Sequence, residues 1–162
     1  MRVTLLIVTC LVFPSLLFAQ DQQFADLGTC KLESGKELLD CRIGYHTFGA
    51  LNETRDNAIL IPTWYGGKSE DWVSLHSQLL GKEHGLLVIV VDAIGNGVSV
   101  SPSNSKAKGG DGFPKITTRD MVRSQYRLAT EVLGLERLRA VMRISVRGMQ
   151  AFVCALLYPD YI

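Results

Sequence analysis

The sequence predicts an α/β fold, a mostly parallel sheet flanked by helices, on three observations. "LLVIVVD" (86–92) is apolar until its last residue, the pattern of a strand covered on both faces. Short apolar runs are followed by helical stripes that close on glycine or proline. The order strand, helix, strand, helix, strand, helix is that of a doubly wound sheet. A chain of 162 residues, 47% hydrophobic and 20% charged, has the size and composition of one folded domain.

The first element is not part of that fold. "MRVTLLIVTCLVFPSLLFA" has an early charge at Arg2, an apolar run and small Ala19 before "QDQQ", the layout of a secretory signal over residues 1–19. Thr4, Thr9, Pro14 and Ser15 interrupt the run, so cleavage after Ala19 is expected rather than retention as an anchor. The mature domain, 20–162, is then secreted or periplasmic, with no stable membrane insertion. Cys30 and Cys41 bracket "KLESGKELLD", which reads as a hairpin. A two-residue turn at Gly35-Lys36 sets Ser34 against Glu37 and Cys30 against Cys41. An oxidising compartment would preserve a cross-strand disulfide there; two reduced, half-buried thiols are the alternative.

"AILI" (58–61) is a buried strand ended by Pro62. In "PTWYGGKSEDW", Ser69 reads as the N-cap of a helix over 70–80, with Trp72, Val73, His76, Leu79 and Leu80 on one face and Gly81 as its stop. After the 86–92 strand comes a loop, 93–116, rich in Gly, Ser and Pro, at the carboxyl end where open α/β sheets bind ligands. Thr117 or Thr118 caps the next helix and Asp120 favours its first turn. Its buried stripe is Met121, Val122, Tyr126, Ala129, Val132 and Leu133, and Gly134 ends it. "LRAVMRI" is a strand with an apolar edge, and "MQAFVCALLYP" a helix stopped at Pro159, with Cys154 in the core.

A formal charge of +1 gives no reason to expect nucleic acid or an anionic membrane surface as a partner. No second ligand pair has metal spacing, so neither a metal nor another cofactor is expected. "VVDAIGNGVS" places a Gly-x-Gly after a strand but lacks the third glycine and meets Pro102 where a helix should run, which makes it a weak signal for nucleotide binding. "NET" at 52–54 is a glycosylation sequon, relevant in a eukaryotic secretory cell. The sequence does not specify an oligomeric state.

The chemistry centres on "VMRISVRGMQ" (141–150), where Ser145 stands between an apolar run and Gly-Met-Gln as in a nucleophile elbow. With "LESGKELLDCRIGYHTFGALNETRDNAILIPTWYGG", "GNGVSVSPSNS", "FPKITTRDMVRSQYRLATEVLGLERLRAV" and "GMQAFVCALLYPDYI", the chain resembles the homoserine O-acetyltransferase-like branch of the α/β-hydrolase superfamily. The resemblance implies the N-terminal part of that fold, with the C-terminal strands missing. It also implies serine acyltransferase or esterase chemistry, with a small-molecule acyl donor and an alcohol or water as acceptor. Ser145 takes the nucleophile's place, the Val146 N–H that of one oxyanion donor, and Trp64 or Tyr65 that of the other.

Family members read G-G-S-M-G-G-M-Q across the elbow; this chain reads "RISVRGMQ". Arg143 and Arg147 replace the two glycines beside the serine, and Ile144 adds a β-branched neighbour. Each bulky side chain at such a turn costs on the order of 1–3 kcal/mol or moves the backbone. No histidine lies beyond Ser145, and His46, His76 and His84 are all upstream, where the fold does not place its base. The expectation is therefore a degenerate relative, inactive as this polypeptide. The alternative is an active acyltransferase or hydrolase whose acid and histidine lie in a missing C-terminal half.

Overall fold

The computed structural model describes residues 21–64, 66–72, 85–142 and 149–162. Its five-stranded sheet contains β1 (Gln23–Asp26), β4 (Arg42–Phe48), β5 (Ala58–Pro62), β6 (Leu87–Val91) and β7 (Ala140–Val141), in the order β1-β4-β6-β5-β7. β1, β4 and β6 run antiparallel, whereas β6, β5 and β7 run parallel. The parallel half follows from burial. Leu60, Ile61 and all of Val88–Val91 are inaccessible, so side chains pointing either way from β5 and β6 need cover. One face sends Leu60, Ile89 and Val91 into the larger core with Ile43, Leu128 and Leu138. The other sends Ile59, Ile61, Val88 and Val90 against Phe48 and Trp72. The Thr63 N–H bonds to Val91 O, so by alternation the missing N–H of Pro62 faces the β7 side, beyond the end of that short strand.

The hairpin is built with a different register from the one predicted. β2 (Cys30–Lys31) and β3 (Glu37–Leu38) pair Cys30 with Leu38 and Lys31 with Glu37. Leu32 N–H bonds to Lys36 O and Gly35 N–H to Leu32 O, which leaves a three-residue loop at 33–35 with Gly35 at φ 77°. A left-handed glycine closing a three-residue turn is as favourable as one opening a two-residue turn, and this chain uses the former. Cys41 lies past the end of β3, where its N–H bonds to Gly28 O and its carbonyl accepts from Leu27 N. The Cys30–Cys41 disulfide spans 5.7 Å between Cα atoms. It joins two thiols that are not directly opposed.

Helix α1 (Thr118–Arg127) is capped by Thr117, whose hydroxyl accepts from Asp120 N while Asp120 accepts from Thr117 N at 2.9 Å. The buried Asp120 carboxylate also takes Glu33 N–H at 2.7 Å and so fixes the hairpin loop to the helix. Beyond Arg127 the helix widens into a π-helical turn over Leu128–Val132, with Leu133 N–H reaching Leu128 O. That extra residue shifts the phase of the helix, and Val132, placed by the sequence in the buried stripe, is 44% exposed. Gly134 ends it at φ 61°. Helix α2 (Met149–Leu157) follows β7 and buries Cys154.

Two other expectations change. Ser69 is not an N-cap: it begins a 3-10 turn, Ser69–Asp71, with Lys68 as the preceding residue, and its hydroxyl points inward. Only Ala140 and Val141 of "LRAVMRI" form strand, although Arg139 N–H to Ala58 O and Met142 N–H to Leu60 O extend the contact with β5. The predicted signal at 1–19, the 70–80 helix beyond Trp72, His76 and His84 lie outside the described residues.

Candidate active site

At the carboxyl ends of β5 and β6 the chain forms a cleft of about 200 Å³ lined by Gly66, Ala93, Ile94, Met121, Met149 and Gln150, among others. Each wall has a reason to be there. Ala93–Asn96 leave β6 through a tight turn, with Gly95 at φ 93° and Gly95 N–H bonded to Val100 O. The segment after β5 folds back on itself, since Gly67 N–H bonds to Trp64 O at 2.9 Å. A Cβ at Gly67 would overlap the Trp64 indole, so glycine is required for that turn.

Gln150, in the first turn of α2, ties the two sides together. Its Nε2 donates to Thr63 O at 2.9 Å, and its Oε1 accepts from Gln125 Nε2 at 2.5 Å. Thr63 in turn accepts Ala93 N–H on its hydroxyl at 3.1 Å. Gln125 is buried and, among the described residues, its Oε1 has no hydrogen-bond partner. The start of α2, the loop after β5 and the loop after β6 are thus locked around one cleft.

Behind the loop lies a buried polar cluster that the sequence did not disclose. Asp92, 1% exposed, accepts Ser69 N–H at 2.8 Å and Asn96 Nδ2 at 2.8 Å on Oδ1. On Oδ2 it accepts the Ser69 hydroxyl at 2.5 Å and Gln22 Nε2 at 3.2 Å. His46 Nδ1 lies 2.8 Å from Ser69 Oγ, and Asn96 Nδ2 also reaches Gly67 O at 3.0 Å. The clue was available: Asp92 is the only polar residue of its strand run, and it sits at the carboxyl end.

Of the residues singled out from sequence, Trp64 stands at the cleft side of β5, half-buried, and Cys30 and Cys41 are bonded to each other away from it. Ser145, Val146 and Tyr65, with Arg143, Ile144 and Arg147, lie outside the described residues; 143–148 joins the end of β7 to the start of α2. His46 is 3% exposed and held by Ser69. Among the described residues no cluster of His, Cys, Asp and Glu has the arrangement of a metal site. Cys154 is pushed up to about 11 by burial, so its thiol is a core group rather than a nucleophile.

No family model matches the chain. It is similar to a probable esterase of Corynebacterium glutamicum, 37% identical over 149 residues that cover 85% of this chain and 41% of the relative. A homoserine O-acetyltransferase of Chloroherpeton thalassium is 34% identical over 158 residues, covering 90% of this chain and 41% of the relative. Among solved structures, an acetylester hydrolase from Corynebacterium glutamicum superposes with a TM-score of 0.81 at 34% identity, over 87% of this chain and 42% of that one. The chain has the α/β-hydrolase fold and is related to esterases and homoserine O-acetyltransferases that share it. It spans about two fifths of the length of the curated relatives it matches. Within an α/β-hydrolase, a loop after one strand facing the start of a helix that follows another is the layout of an oxyanion site beside a nucleophile turn. Here the loop after β5, with Trp64, is tied to the start of α2 through Gln150.

Proposed function

We propose that this chain is an exported α/β-hydrolase-fold protein of serine acyl-transfer type that carries the nucleophile half of the site and does not turn over ester by itself. Ser145 holds the nucleophile's position, with the N–H groups of Val146 and of Trp64 or Tyr65 as oxyanion donors. The substrate class is a small acyl ester, with an alcohol or water as acceptor. The observation that carries this reading is the Gln150 Nε2 to Thr63 O bond at 2.9 Å. It fixes the helix that follows Ser145 against the loop that begins at Trp64, which the chemistry requires if both are to act on one carbonyl.

The inactive part of the reading rests on what surrounds the serine. A hydroxyl needs a base within hydrogen-bond reach, and His46, the one histidine among the described residues, is buried on Ser69. Arg143 and Arg147 add bulk where the turn has least room. A second reading, an active enzyme completed by a further C-terminal segment carrying acid and histidine, is favoured by the relatives, of which the chain covers 41%.

Both are tested by treating the purified chain with a fluorophosphonate probe and with p-nitrophenyl acetate. Neither labelling nor turnover above background is expected. Labelling that disappears in Ser145→Ala would overturn inactivity while supporting the nucleophile assignment. N-terminal sequencing of product from an exporting host should begin at Gln20; an intact Met1 would overturn export by a cleaved signal.

A further inference from the structure

The Ser69 hydroxyl is wholly buried between a carboxylate and an imidazole, with Asp92 Oδ2 on one side and His46 Nδ1 at 2.8 Å on the other. Among the described residues no lysine or arginine pairs with Asp92, so neutral dipoles alone satisfy it. In a dry interior each such dipole counts for more than it would at the surface. Two of the four come from Ser69, one from Asn96, and the fourth from Gln22, far away in sequence.

We propose that Gln22 is a positioning residue whose carboxamide completes an Asp92–Ser69 clamp, and that this clamp sets the 63–72 loop on which Trp64 and Tyr65 stand. Gln22 Nε2 donates to both Asp92 Oδ2 and Tyr45 O, the latter at 3.1 Å, and its Oε1 lies 3.1 Å from the Ser69 hydroxyl. Through Nε2 the carboxamide thus bridges β4 and the Asp92 carboxylate that holds the loop. The space it occupies exists because residue 44 has no side chain. A Cβ there would lie 2.8 Å from Val98 Cγ1, 3.0 Å from Asp92 Oδ2 and 3.1 Å from Gln22 Nε2. Asn96 closes the clamp on its far side by bridging Asp92 Oδ1 and Gly67 O. The importance of this arrangement for catalysis rests on the acyl-transfer reading; the clamp itself does not.

The proton order follows from the same contacts. A carboxylate only accepts, so Ser69 donates its one hydroxyl proton to Asp92 and must accept from His46 Nδ1–H.

The test is amide hydrogen exchange on the full 162-residue chain, comparing wild type, Gln22→Ala, Gln22→Glu and the double variant Gln22→Glu/Asp92→Asn. Loss of one charge-assisted bond in Gln22→Ala should speed exchange of the 67–72 amides about tenfold, and Gln22→Glu, which sets a second carboxylate against Asp92, should speed it at least as much, with α1 and β6 unchanged. The double variant exchanges amide and carboxylate across the residue 22–residue 92 contact and removes the like-charge pair, so it should recover part of the protection that Gln22→Glu loses, the bond to Tyr45 O staying lost. Unaltered exchange in the single variants, an equal loss throughout the chain, or no recovery on the swap would each overturn the proposal. In wild type, ¹⁵N shifts should show His46 protonated on Nδ1; a neutral ring protonated on Nε2 would contradict the clamp. Neither readout involves Ser145, so the result is independent of whether the chain turns over ester.

Discussion

Asp40 sits between the hairpin and the 93–116 loop, and its oxygens gather the Lys106 N–H at 2.7 Å, the Ser105 hydroxyl at 3.0 Å and the Ala107 N–H at 3.4 Å. Burial raises this carboxyl, but those three donors outweigh it and hold it below its ordinary value. A carboxyl lowered by folding stabilises above its unfolded value, near 3.8, and the benefit is lost as pH falls through the folded one. Asp40→Asn should therefore lower stability at pH 7 by on the order of 1 kcal/mol, modest because the group is partly exposed. Urea midpoints for the two proteins should converge as pH falls through the lowered folded value, where the wild-type side chain also becomes neutral; a gap unchanged by acidification would exclude this cause. At this scale the sequence was least legible. A serine before an apolar helical stretch looks the same whether it caps the helix or, like Ser69, turns inward to a carboxylate 23 residues away. Local composition does not encode a partner that only folding brings near, and the same holds for Gln22.

Elements were more legible because their signals are local. Thr117 and Asp120 form their reciprocal cap within three residues, and the unbroken apolar runs of β5 and β6 need cover on both sides wherever they lie. The hairpin shows where such reasoning stops. Gly35 fits a two-residue and a three-residue turn equally, and the choice moves the whole register. The two cysteines meet even so, because the chain after β3 curls back to present Cys41 to Cys30. Closing a loop with sequence separation 11 removes chain entropy worth about 3 kcal/mol from the unfolded state. The Cys30→Ala/Cys41→Ala variant should lose roughly that amount in urea denaturation, and dithiothreitol should then leave the variant's midpoint unchanged while lowering the wild type's.

On the whole-molecule scale, element order and the one deeply apolar strand were enough to predict the sheet, and the superposition on an acetylester hydrolase agrees with it. What they did not predict is how much apolar surface α2 leaves outside. Met149 is 61% exposed, Phe152 64% and Leu156 64%, on successive turns, and β7 ends the sheet beside them. Apolar surface next to a strand edge favours self-association. Phe152→Lys/Leu156→Lys should lower static light scattering at high concentration several-fold, with little change in the denaturation midpoint; scattering unchanged by the substitutions would place the association elsewhere.

The direction of the strands has a practical consequence. β1 begins at Gln23 against Tyr45, which itself faces Val91 at the end of β6, so this strand enters the sheet from the cleft side. Tyr161 instead packs at the far end, where its carbonyl takes Leu138 N–H just ahead of β7 and its hydroxyl donates to Leu135 O. A fluorophore carried on a cysteine in place of exposed Asp21 would therefore sit on the cleft side, whereas one in place of exposed Asp160 would sit at the opposite pole.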